Sequence, residues 1–221
     1  MKIQPKVISL EGIDGSGKSS VANWLKHYLE SINFDVVLLR EPGSTPLGEN
    51  LRALLLKESF RTASPWTDAL LFYAARLENI LRNIKPALES GKWVILDRFQ
   101  DATIAYQGYG QGLNVDELEI IYRIVADDFV PDWTILLDCS PEVSMSRIPD
   151  SVRTRWERLG ETFLERVRKG YLSLASKHSD RFTVIDGTKP LEEVQNLIRE
   201  ELLKRFKQWG SLIQSTDRSD Q

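Results

Sequence analysis

A glycine-rich segment near the start of the chain carries the most specific chemical signal in the sequence. Residues 12–19 read Gly-Ile-Asp-Gly-Ser-Gly-Lys-Ser, which matches the pattern G-x-x-x-x-G-K-[ST]. In such a loop, backbone N–H groups cradle phosphates, the lysine reaches the β- and γ-phosphate oxygens, and the final hydroxyl binds Mg²⁺. An incidental glycine-rich turn would match in on the order of one chain in a hundred. We therefore expect a catalytic Lys18 and an ATP-binding set of Gly12, Ile13, Asp14, Gly15, Ser16, Gly17, Lys18, Ser19 and Ser20.

A carboxylate follows the apolar run Trp93–Leu96, where Asp97 is succeeded by Arg98. The end of a buried strand is where P-loop proteins place the acidic group on the metal side of the site. An Asp-Arg pair after a strand is by itself an ordinary surface pair, but the phosphate-binding loop favours the functional interpretation. We expect Ser19 and Asp97 to bind Mg²⁺ as the cofactor of ATP.

An arginine-rich segment occupies residues 147–160. It contains Arg147, Arg153, Arg155 and Arg158, no lysine, and an interruption at Pro149 that blocks a continuous helix. Without a phosphate-binding loop, a solvated basic loop with no role is the better interpretation. With one, arginines that close over ATP exclude water and stabilise the charge of the transferring phosphoryl group. The segment is therefore predicted to be a mobile lid.

Alternating strand and helix patterns must position these residues. The predicted strands are Val7–Leu10, Val36–Leu39, Trp93–Leu96, Thr134–Leu137 and Phe182–Ile185. The predicted helices are Ser19–Ile32, Leu47–Glu58, Trp66–Leu88, Val115–Phe129, Glu142–Arg147, Thr162–Lys177 and Leu191–Trp209. Short apolar strands that alternate with helices indicate an α/β fold with a five-stranded parallel sheet and helices on both faces.

The helix from Trp66 has two kinds of face. Helical spacing predicts a core stripe of Trp66, Leu70, Tyr73, Leu77, Leu81 and Ile84. Phe72 and Arg76 lie one turn apart on a different face, where an aromatic ring and a cation suit a base and a phosphate. A core phenylalanine beside a snorkelling arginine explains the same pattern equally well. Apolar residues around much of the helix indicate burial on two sides.

Composition limits the classes of protein that the chain can represent. It has 221 residues, 42% hydrophobic content and a formal net charge of −3, which fits one globular domain with a small-molecule partner and not a nucleic-acid or membrane partner. We expect residues 1–213 to form the catalytic domain and residues 214–221 a disordered polar tail. The single cysteine, Cys139, is expected to be a buried apolar residue. No secretory or membrane-spanning pattern is present, so a cytoplasmic location is expected.

Five motifs make the chain resemble the thymidylate kinase family from the P-loop to about residue 209. They are Leu10–Ser19, Arg40–Thr45, Phe72–Arg76, Asp97–Phe99 and Ala105–Gly108. The resemblance implies a three-layer P-loop kinase fold, ATP and dTMP as substrates, and a homodimer formed through the Trp66 helix. It also implies acceptor-binding roles for Asp14, Glu41, Arg52, Phe72, Arg76, Arg98, Ala102, Thr103, Tyr106 and Gln107, with Arg98 also catalytic. Phe72 would stack on thymine, and Tyr106 would lie where a 2′-hydroxyl clashes. Gly187 and Thr188 would cup the adenine of ATP.

The resemblance also addresses the catalytic arginine. Thymidylate kinases divide into a kind with an arginine in the P-loop and a kind with one in the lid, and residues 13–16 of this loop contain no basic residue. Arg155 is the first choice for the lid arginine and Arg153 the alternate, although Thr154 stands where the family usually has Asp or Asn. Two further departures are Ala102, where Ser is frequent, and Ser44, where Gly is usual.

Two alternatives belong to other classes, a nucleotide-driven switch and a non-catalytic nucleotide-binding protein, and a third is a kinase with a different acceptor. A nucleotide-driven switch or GTPase would need an N-K-x-D guanine motif, and the nearest segment, Thr188-Lys189-Pro190-Leu191, lacks the aspartate. A kinase for another nucleoside monophosphate remains open. So does a non-catalytic nucleotide-binding protein, although such a protein would not need a second set of aromatic and basic residues.

Overall fold

A single parallel sheet forms the centre of the structure, a computed structural model that describes residues 3–57 and 63–216, with side chains to residue 210. Its strands are β1 Val7–Glu11, β2 Val36–Arg40, β3 Trp93–Asp97, β4 Trp133–Asp138 and β5 Phe182–Asp186. They run in the order β2-β3-β1-β4-β5, and every neighbouring pair is parallel. The prediction of a five-stranded parallel sheet is therefore confirmed.

Helices connect the strands and cover both faces of the sheet. They are α1 Lys18–Ser31, α2 Pro46–Leu55, α3 Pro65–Asn79, α4 Lys85–Glu89, α5 Gln100–Thr103, α6 Val115–Ala126, α7 Pro141–Arg147, α8 Glu161–Lys177 and α9 Leu191–Thr216. Among the described residues, no helix is both long enough and apolar enough to cross a bilayer.

Two apolar cores lie on opposite faces of the sheet because side chains alternate along each strand. Val94 and Leu96 of β3 belong to the core under α3, α6 and α8, whereas Trp93 and Ile95 belong to the core under α1 and α9. All five residues of β1 are buried. Burial on both faces explains the continuous apolar runs in the sequence and confirms the three-layer architecture.

The helix predicted over Trp66–Leu88 consists of three parts. α3 passes into a π-helical turn at Ile80–Ile84, and α4 completes the segment. The predicted core stripe is wrong at two positions, because Leu70 is 52% exposed and Leu81 is 50% exposed. Tyr73 and Ile84 are buried as expected. Leu81 lies in the π-helical turn, which changes the angle between successive side chains. Leu70 lies in regular α-helix before that turn, where the buried side of α3 runs instead through Ala69, Tyr73 and Arg76.

Two other differences from the sequence-based expectation concern individual segments. A helical segment that the sequence did not predict follows β3, where α5 continues into a π-helical stretch at Ile104–Gly110. The last helix includes residues 214–216, which were predicted to belong to a disordered tail; residues 217–221 lie outside the described residues. Residue 58, at the end of the second predicted helix, also lies outside them. Cys139 is a buried free thiol, as expected.

Candidate active site

The phosphate-binding loop follows β1 directly and ends in the first turn of α1. All three of its glycines have backbone angles that other residues rarely adopt, with φ of 138° at Gly12, 77° at Gly15 and 98° at Gly17. A Cβ on Gly12 would lie 2.5 Å from the carbonyl oxygen of Leu137, whereas one on Gly17 would meet nothing within 4 Å. Gly12 is therefore required for both space and conformation, and Gly17 for conformation. The loop aims the N-terminus of the 14-residue α1 at the cavity.

Lys18 is held inside the loop that precedes it. Its Nζ donates to the carbonyl oxygen of Ile13 at 2.9 Å and lies 3.5 Å from Oδ1 of Asp14. Burial and the nearby Arg98 lower the pKa of Lys18, while the carboxylates of Asp14 and Asp97 raise it. Lys18 is thus positioned by the backbone and by acidic neighbours, as a phosphate ligand must be.

The two residues predicted on the metal side lie together. Ser19 Oγ donates to Oδ2 of Asp97 at 2.8 Å. Sheet register accounts for this, because Leu10 of β1 and Arg40 of β2 are both paired with Asp97 on β3. The strand therefore delivers the carboxylate beside the start of α1, although 78 residues separate the two side chains.

Arg98 connects the two sides of the site. Its Nη2 donates to Oδ1 of Asp14 at 2.7 Å and to the hydroxyl of Tyr106 at 3.1 Å, and its Nη1 donates to the Gly12 carbonyl at 3.0 Å. Burial alone would raise the pKa of Asp14, but the charges of Arg98 and Lys18 hold it well below its usual range. Arg98 has φ of 71°, a left-handed conformation that is uncommon for a non-glycine residue and is concentrated at functional sites.

A cavity of about 260 Å³ lies beside the loop and is lined largely by apolar and aromatic side chains. We call it the acceptor cavity, because all ten residues predicted to bind the acceptor line it: Asp14, Glu41, Arg52, Phe72, Arg76, Arg98, Ala102, Thr103, Tyr106 and Gln107. The structure therefore brings together residues from five separate segments.

Arg76 is bound within the protein while it lines this cavity. Its Nε donates to Oε2 of Glu41 at 2.7 Å, and its Nη1 donates to Gln100 at 2.9 Å and to Thr103 at 3.0 Å. The arginine is 1% exposed and Glu41 is 3% exposed. Burial raises the pKa of Glu41, and the charge of Arg76 opposes that rise. Arg76 therefore fixes the shape of the cavity wall. Because its guanidinium is already bound to three side chains, it has little freedom to move toward a ligand.

Two polar groups face the predicted base position. Gln107 is 1% exposed, and its Nε2 has no hydrogen-bond partner among the described residues. A buried amide donor without a partner is costly, so a ligand carbonyl would satisfy it. The Thr103 hydroxyl, next to Ala102, is already held by Arg76. Gln107 is therefore the better candidate to contact a base edge.

The lid arginines differ in where their side chains lie. Arg147 lines the polar cavity beside Lys18 and donates to the carbonyl oxygens of Gly187 at 2.8 Å and Gly15 at 3.3 Å. Arg153 donates to the Met145 carbonyl at 3.0 Å. Arg155 donates to Oδ1 of Asp68 at 2.7 Å, and neither Arg153 nor Arg155 lines either cavity. The catalytic role predicted for Arg155, with Arg153 as the alternate, stays a prediction. The contact of Gly187 and Thr188 with adenine also stays a prediction.

Sequence reasoning missed three residues of the site. Trp156 and Glu157 line the acceptor cavity from the lid, and Asp68 binds Arg155. Burial and the nearby Asp14 raise the pKa of Glu157. A tryptophan in an otherwise polar, arginine-rich segment was the signal for Trp156. Asp68 carried no such signal, because an acidic residue in the first turn of a helix is ordinary.

The acceptor cavity meets a second, polar cavity of about 380 Å³ around the phosphate-binding loop. Both are lined by Asp14, Gly15, Glu41, Arg52 and Arg98. Two arginines in this shared wall suit two phosphate groups that meet there, since a guanidinium binds phosphate oxygens bidentately. The arrangement can hold a nucleoside triphosphate and a second phosphorylated ligand end to end.

Comparisons with known proteins agree with this geometry. The family model "Thymidylate kinase" matches residues 10–198. A thymidylate kinase of Nitrosomonas eutropha is 45% identical over 212 residues, which cover 95% of this chain and 96% of the relative. One of Symbiobacterium thermophilum is 43% identical over 208 residues, with 92% and 97% covered. A crystal structure of thymidylate kinase from Ehrlichia chaffeensis has a TM-score of 0.75 and 35% identity, covering 90% of this chain and 99% of its own. The chain therefore belongs to the thymidylate kinase family.

Proposed function

We propose that the protein transfers the γ-phosphoryl group of ATP to dTMP, giving ADP and dTDP. The observation that carries the proposal is the pair of cavities with a shared wall. One contains Lys18 and the start of α1, and the other contains Phe72. Family membership supports the same assignment.

The chemistry requires positioning and charge neutralisation. An oxygen of the dTMP phosphate attacks the γ-phosphorus, a new O–P bond forms, and the bond to the ADP oxygen breaks. The attacking oxygen carries negative charge at neutral pH, so no general base is needed. Lys18 neutralises the donor phosphates, while Arg52 and Arg98 hold the acceptor phosphate. Asp14 stays ionised because Arg98 and Lys18 lower its pKa, and it orients Arg98 through their hydrogen bond of 2.7 Å.

The donor set fits Mg²⁺ bound with ATP. One hydroxyl, Ser19 Oγ, and one carboxylate, Asp97 Oδ2, lie 2.8 Å apart, and Mg²⁺ characteristically takes one or two carboxylates with waters and substrate phosphates. Among the described residues, no group of three or more His, Cys, Asp or Glu side chains could hold a metal by itself. Ser19 and Asp97 would hold Mg²⁺ together with ATP, and the ion would supply positive charge that offsets the negative charge of the donor phosphates.

The catalytic arginine is proposed to come from the lid. Residues 13–16 of the loop contain no basic residue. Arg147 has the strongest geometric support, because it lines the polar cavity with Lys18. Arg153, which pairs with Asp150, is the next candidate, while Arg155 is buried against Asp68.

A homodimer is proposed to form through α3 and the adjoining α6. These helices and the π-helical turn after α3 present four exposed apolar residues: Leu70, Leu81, Ile120 and Ile124, exposed by 52%, 50%, 54% and 80%. A large exposed apolar patch marks an interaction site. Light scattering should give about twice the chain mass of 25.3 kDa, and Leu81→Glu should shift the mass toward one chain. A wild-type mass of one chain would refute the dimer.

The cytoplasmic location stays a prediction.

The proposed activity is tested by coupled detection of ADP with a panel of nucleoside monophosphates. We expect dTMP to give the highest kcat/KM and omission of Mg²⁺ to abolish turnover. A higher kcat/KM for another monophosphate would support the alternative of a different acceptor. Binding of ATP without turnover of any acceptor would support a non-catalytic nucleotide-binding protein.

A further inference from the structure

The lid has two halves that differ in burial. Asp150, Ser151 and Val152 are exposed, whereas Arg155, Trp156 and Glu157 are buried. Three consecutive buried residues require partners in the body of the protein. The second half of the lid is therefore docked, while the first half faces solvent.

A buried ion pair forms the docking contact. Arg155 Nη2 donates to Oδ1 of Asp68 at 2.7 Å, and the side chains are 2% and 0% exposed. Oδ2 of the same carboxylate accepts from Gln111 Nε2 at 3.0 Å. Removal of one partner of such a pair leaves an uncompensated buried charge. The pair therefore holds the second half of the lid in one position on α3.

The residue next to this pair is a wall of the acceptor cavity. The Arg155 guanidinium lies 4.0 Å from the centroid of the Trp156 ring, a cation–π contact. The Trp156 centroid lies 5.8 Å from that of Tyr106 and 6.4 Å from that of Phe72, and Trp156 is 4% exposed. The distance to Phe72 leaves no room for a base between the two rings, so Trp156 closes the cavity beside Phe72 and does not sandwich a base with it.

α3 supplies both the anchor and the stacking ring. Asp68 and Phe72 are four residues apart, so they lie one turn apart on the same side of the helix. The position of Trp156 relative to Phe72 therefore depends on the contact between Asp68 and Arg155. Arg155 has no comparable route to the donor phosphates, because it lines neither cavity.

We propose that Asp68 and Arg155 are positioning residues that fix Trp156 as a wall of the acceptor cavity, and that Trp156 determines acceptor affinity. The inference rests on the proposed function, since it takes dTMP as the ligand of this cavity. It assigns Arg155 a different role from that of a catalytic arginine, which would act on the donor side.

The test is steady-state kinetics with both substrates varied. The variants are Asp68→Asn, Arg155→Ala, Arg155→Lys, Trp156→Ala and the double variant Asp68→Asn/Trp156→Ala. We expect the KM for dTMP to rise roughly tenfold in each single variant, with kcat and the KM for ATP within about threefold of wild type. The double variant should resemble Trp156→Ala, because both changes act through the same wall. Asp132→Asn is the control, since it weakens an ion pair with Lys6 that lies just before β1 and β4, at the end of the strands opposite the cavities.

Three outcomes would overturn the inference. A fall in kcat of about 10³ in Arg155→Ala with an unchanged KM for dTMP would make Arg155 catalytic. A lower melting temperature with unchanged kinetics in all variants would make the pair merely structural. Additive effects in the double variant would mean that the ion pair and Trp156 act on the KM for dTMP independently of each other. If Asp68→Asn does not fold, Arg155→Lys and Trp156→Ala carry the test. Wild-type protein without dTMP turnover would refute the proposed function itself, and that result is distinguishable because it involves no variant.

Discussion

The polar cavity around the phosphate-binding loop and the acceptor cavity share five lining residues, yet they are assembled in different ways. The loop is contiguous in sequence, and much of it works through backbone N–H groups whose direction is set by glycines and by the start of α1. The acceptor cavity is lined by side chains from the loop, α2 and the residues before it, α3, the segment after β3, and the lid.

This difference predicts how each side responds to substitution. On the donor side, the backbone forms the phosphate site and Lys18 adds a positive charge to it. Loss of the Lys18 side chain should therefore reduce kcat and leave the fold intact. On the acceptor side, each side chain also supports its neighbours, so its loss should raise the KM for dTMP and disturb packing. Substitutions on the two sides test that division.

Lys18→Ala should have the largest effect. Lys18 bonds the Ile13 carbonyl and faces the polar cavity, so its removal leaves the charge of the donor phosphates without its main neutralising group. We expect kcat to fall by on the order of 10³ or more with little change in melting temperature. Lys26→Ala is the matched control, because Lys26 lies on the same helix and pairs with Glu30 at the surface. Near-normal turnover in Lys18→Ala would remove the donor-side assignment.

Arginine substitutions in the lid should rank second. Arg147→Ala is expected to lower kcat by up to about 10³, since arginines that stabilise phosphoryl-transfer charge contribute on that scale. Lysine should restore only part of the rate, because a point charge does not bridge two phosphate oxygens as a planar guanidinium does. Arg123→Ala, on the exposed surface of α6, serves as control. A kcat within a few-fold of wild type for alanine at Arg147 and at Arg153, singly and together, would contradict a lid arginine.

Phe72→Ala separates the two sides most directly. Loss of a stacking ring costs about 1–3 kcal/mol per base, which corresponds to a rise in KM for dTMP of roughly 5- to 150-fold. The KM for ATP should change little. Phe206→Ala removes another partly buried phenylalanine, in the core on the opposite face of the sheet, and should lower stability without this selective change. Equal effects on both substrates would indicate that Phe72 is a core residue.

Glu11 should give the smallest effect, on the pH dependence of stability. Burial and the nearby Asp101 raise the pKa of Glu11 from 4.5 to about 8, against the opposing effects of Arg98, the Phe99 N–H and the Tyr171 hydroxyl. Between these two values the folded protein binds more protons than the unfolded chain, so stability falls as pH rises. The contribution is fully present below about pH 4.5 and is lost by about pH 8.

Glu11→Gln should remove this dependence. Thermal melts between pH 5 and 8 should show a decline in melting temperature that is several degrees steeper for wild type, since each 1 kcal/mol corresponds to about 2–4 °C in a domain of this size. Glu200→Gln, at an exposed position, should behave as wild type. Parallel pH profiles for wild type and Glu11→Gln would mean that Glu11 is ionised in the folded protein.

Local patterns were sufficient for the sheet and for the donor side. Each predicted strand is present and is extended by one or two residues, because a buried parallel strand reads as a continuous apolar run. The phosphate-binding loop depends on glycine backbone angles and on the helix that follows it, and both are properties of consecutive residues. The contact of Ser19 with Asp97 then follows from the position of Asp97 at the end of β3.

The acceptor side could not be predicted completely from local sequence patterns. The π-helical turn at Ile80–Ile84 changes the helical period, so a constant spacing misplaced Leu81. Leu70 was misplaced because the buried side of α3 contains the charged residues Asp68 and Arg76, which an apolar stripe does not identify. The helical segment after β3 was not predicted. Arg76 was correctly assigned to this region, but the contacts of its guanidinium with Glu41, Gln100 and Thr103 depend on three other segments.

The sequence was enough to predict the fold class, the phosphate-binding loop, the closeness of Ser19 to Asp97, and the presence of Phe72, Tyr106 and Gln107 at one cavity. Which arginine lines which cavity depends on contacts between distant segments and could not be predicted from the sequence. The sequence makes Arg147, Arg153 and Arg155 chemically equivalent, and a guanidinium can reach a phosphate or a carboxylate equally well. Arg155 meets the carboxylate of Asp68, 87 residues away, because the fold buries both groups together, and burial makes the pairing of a charge obligatory.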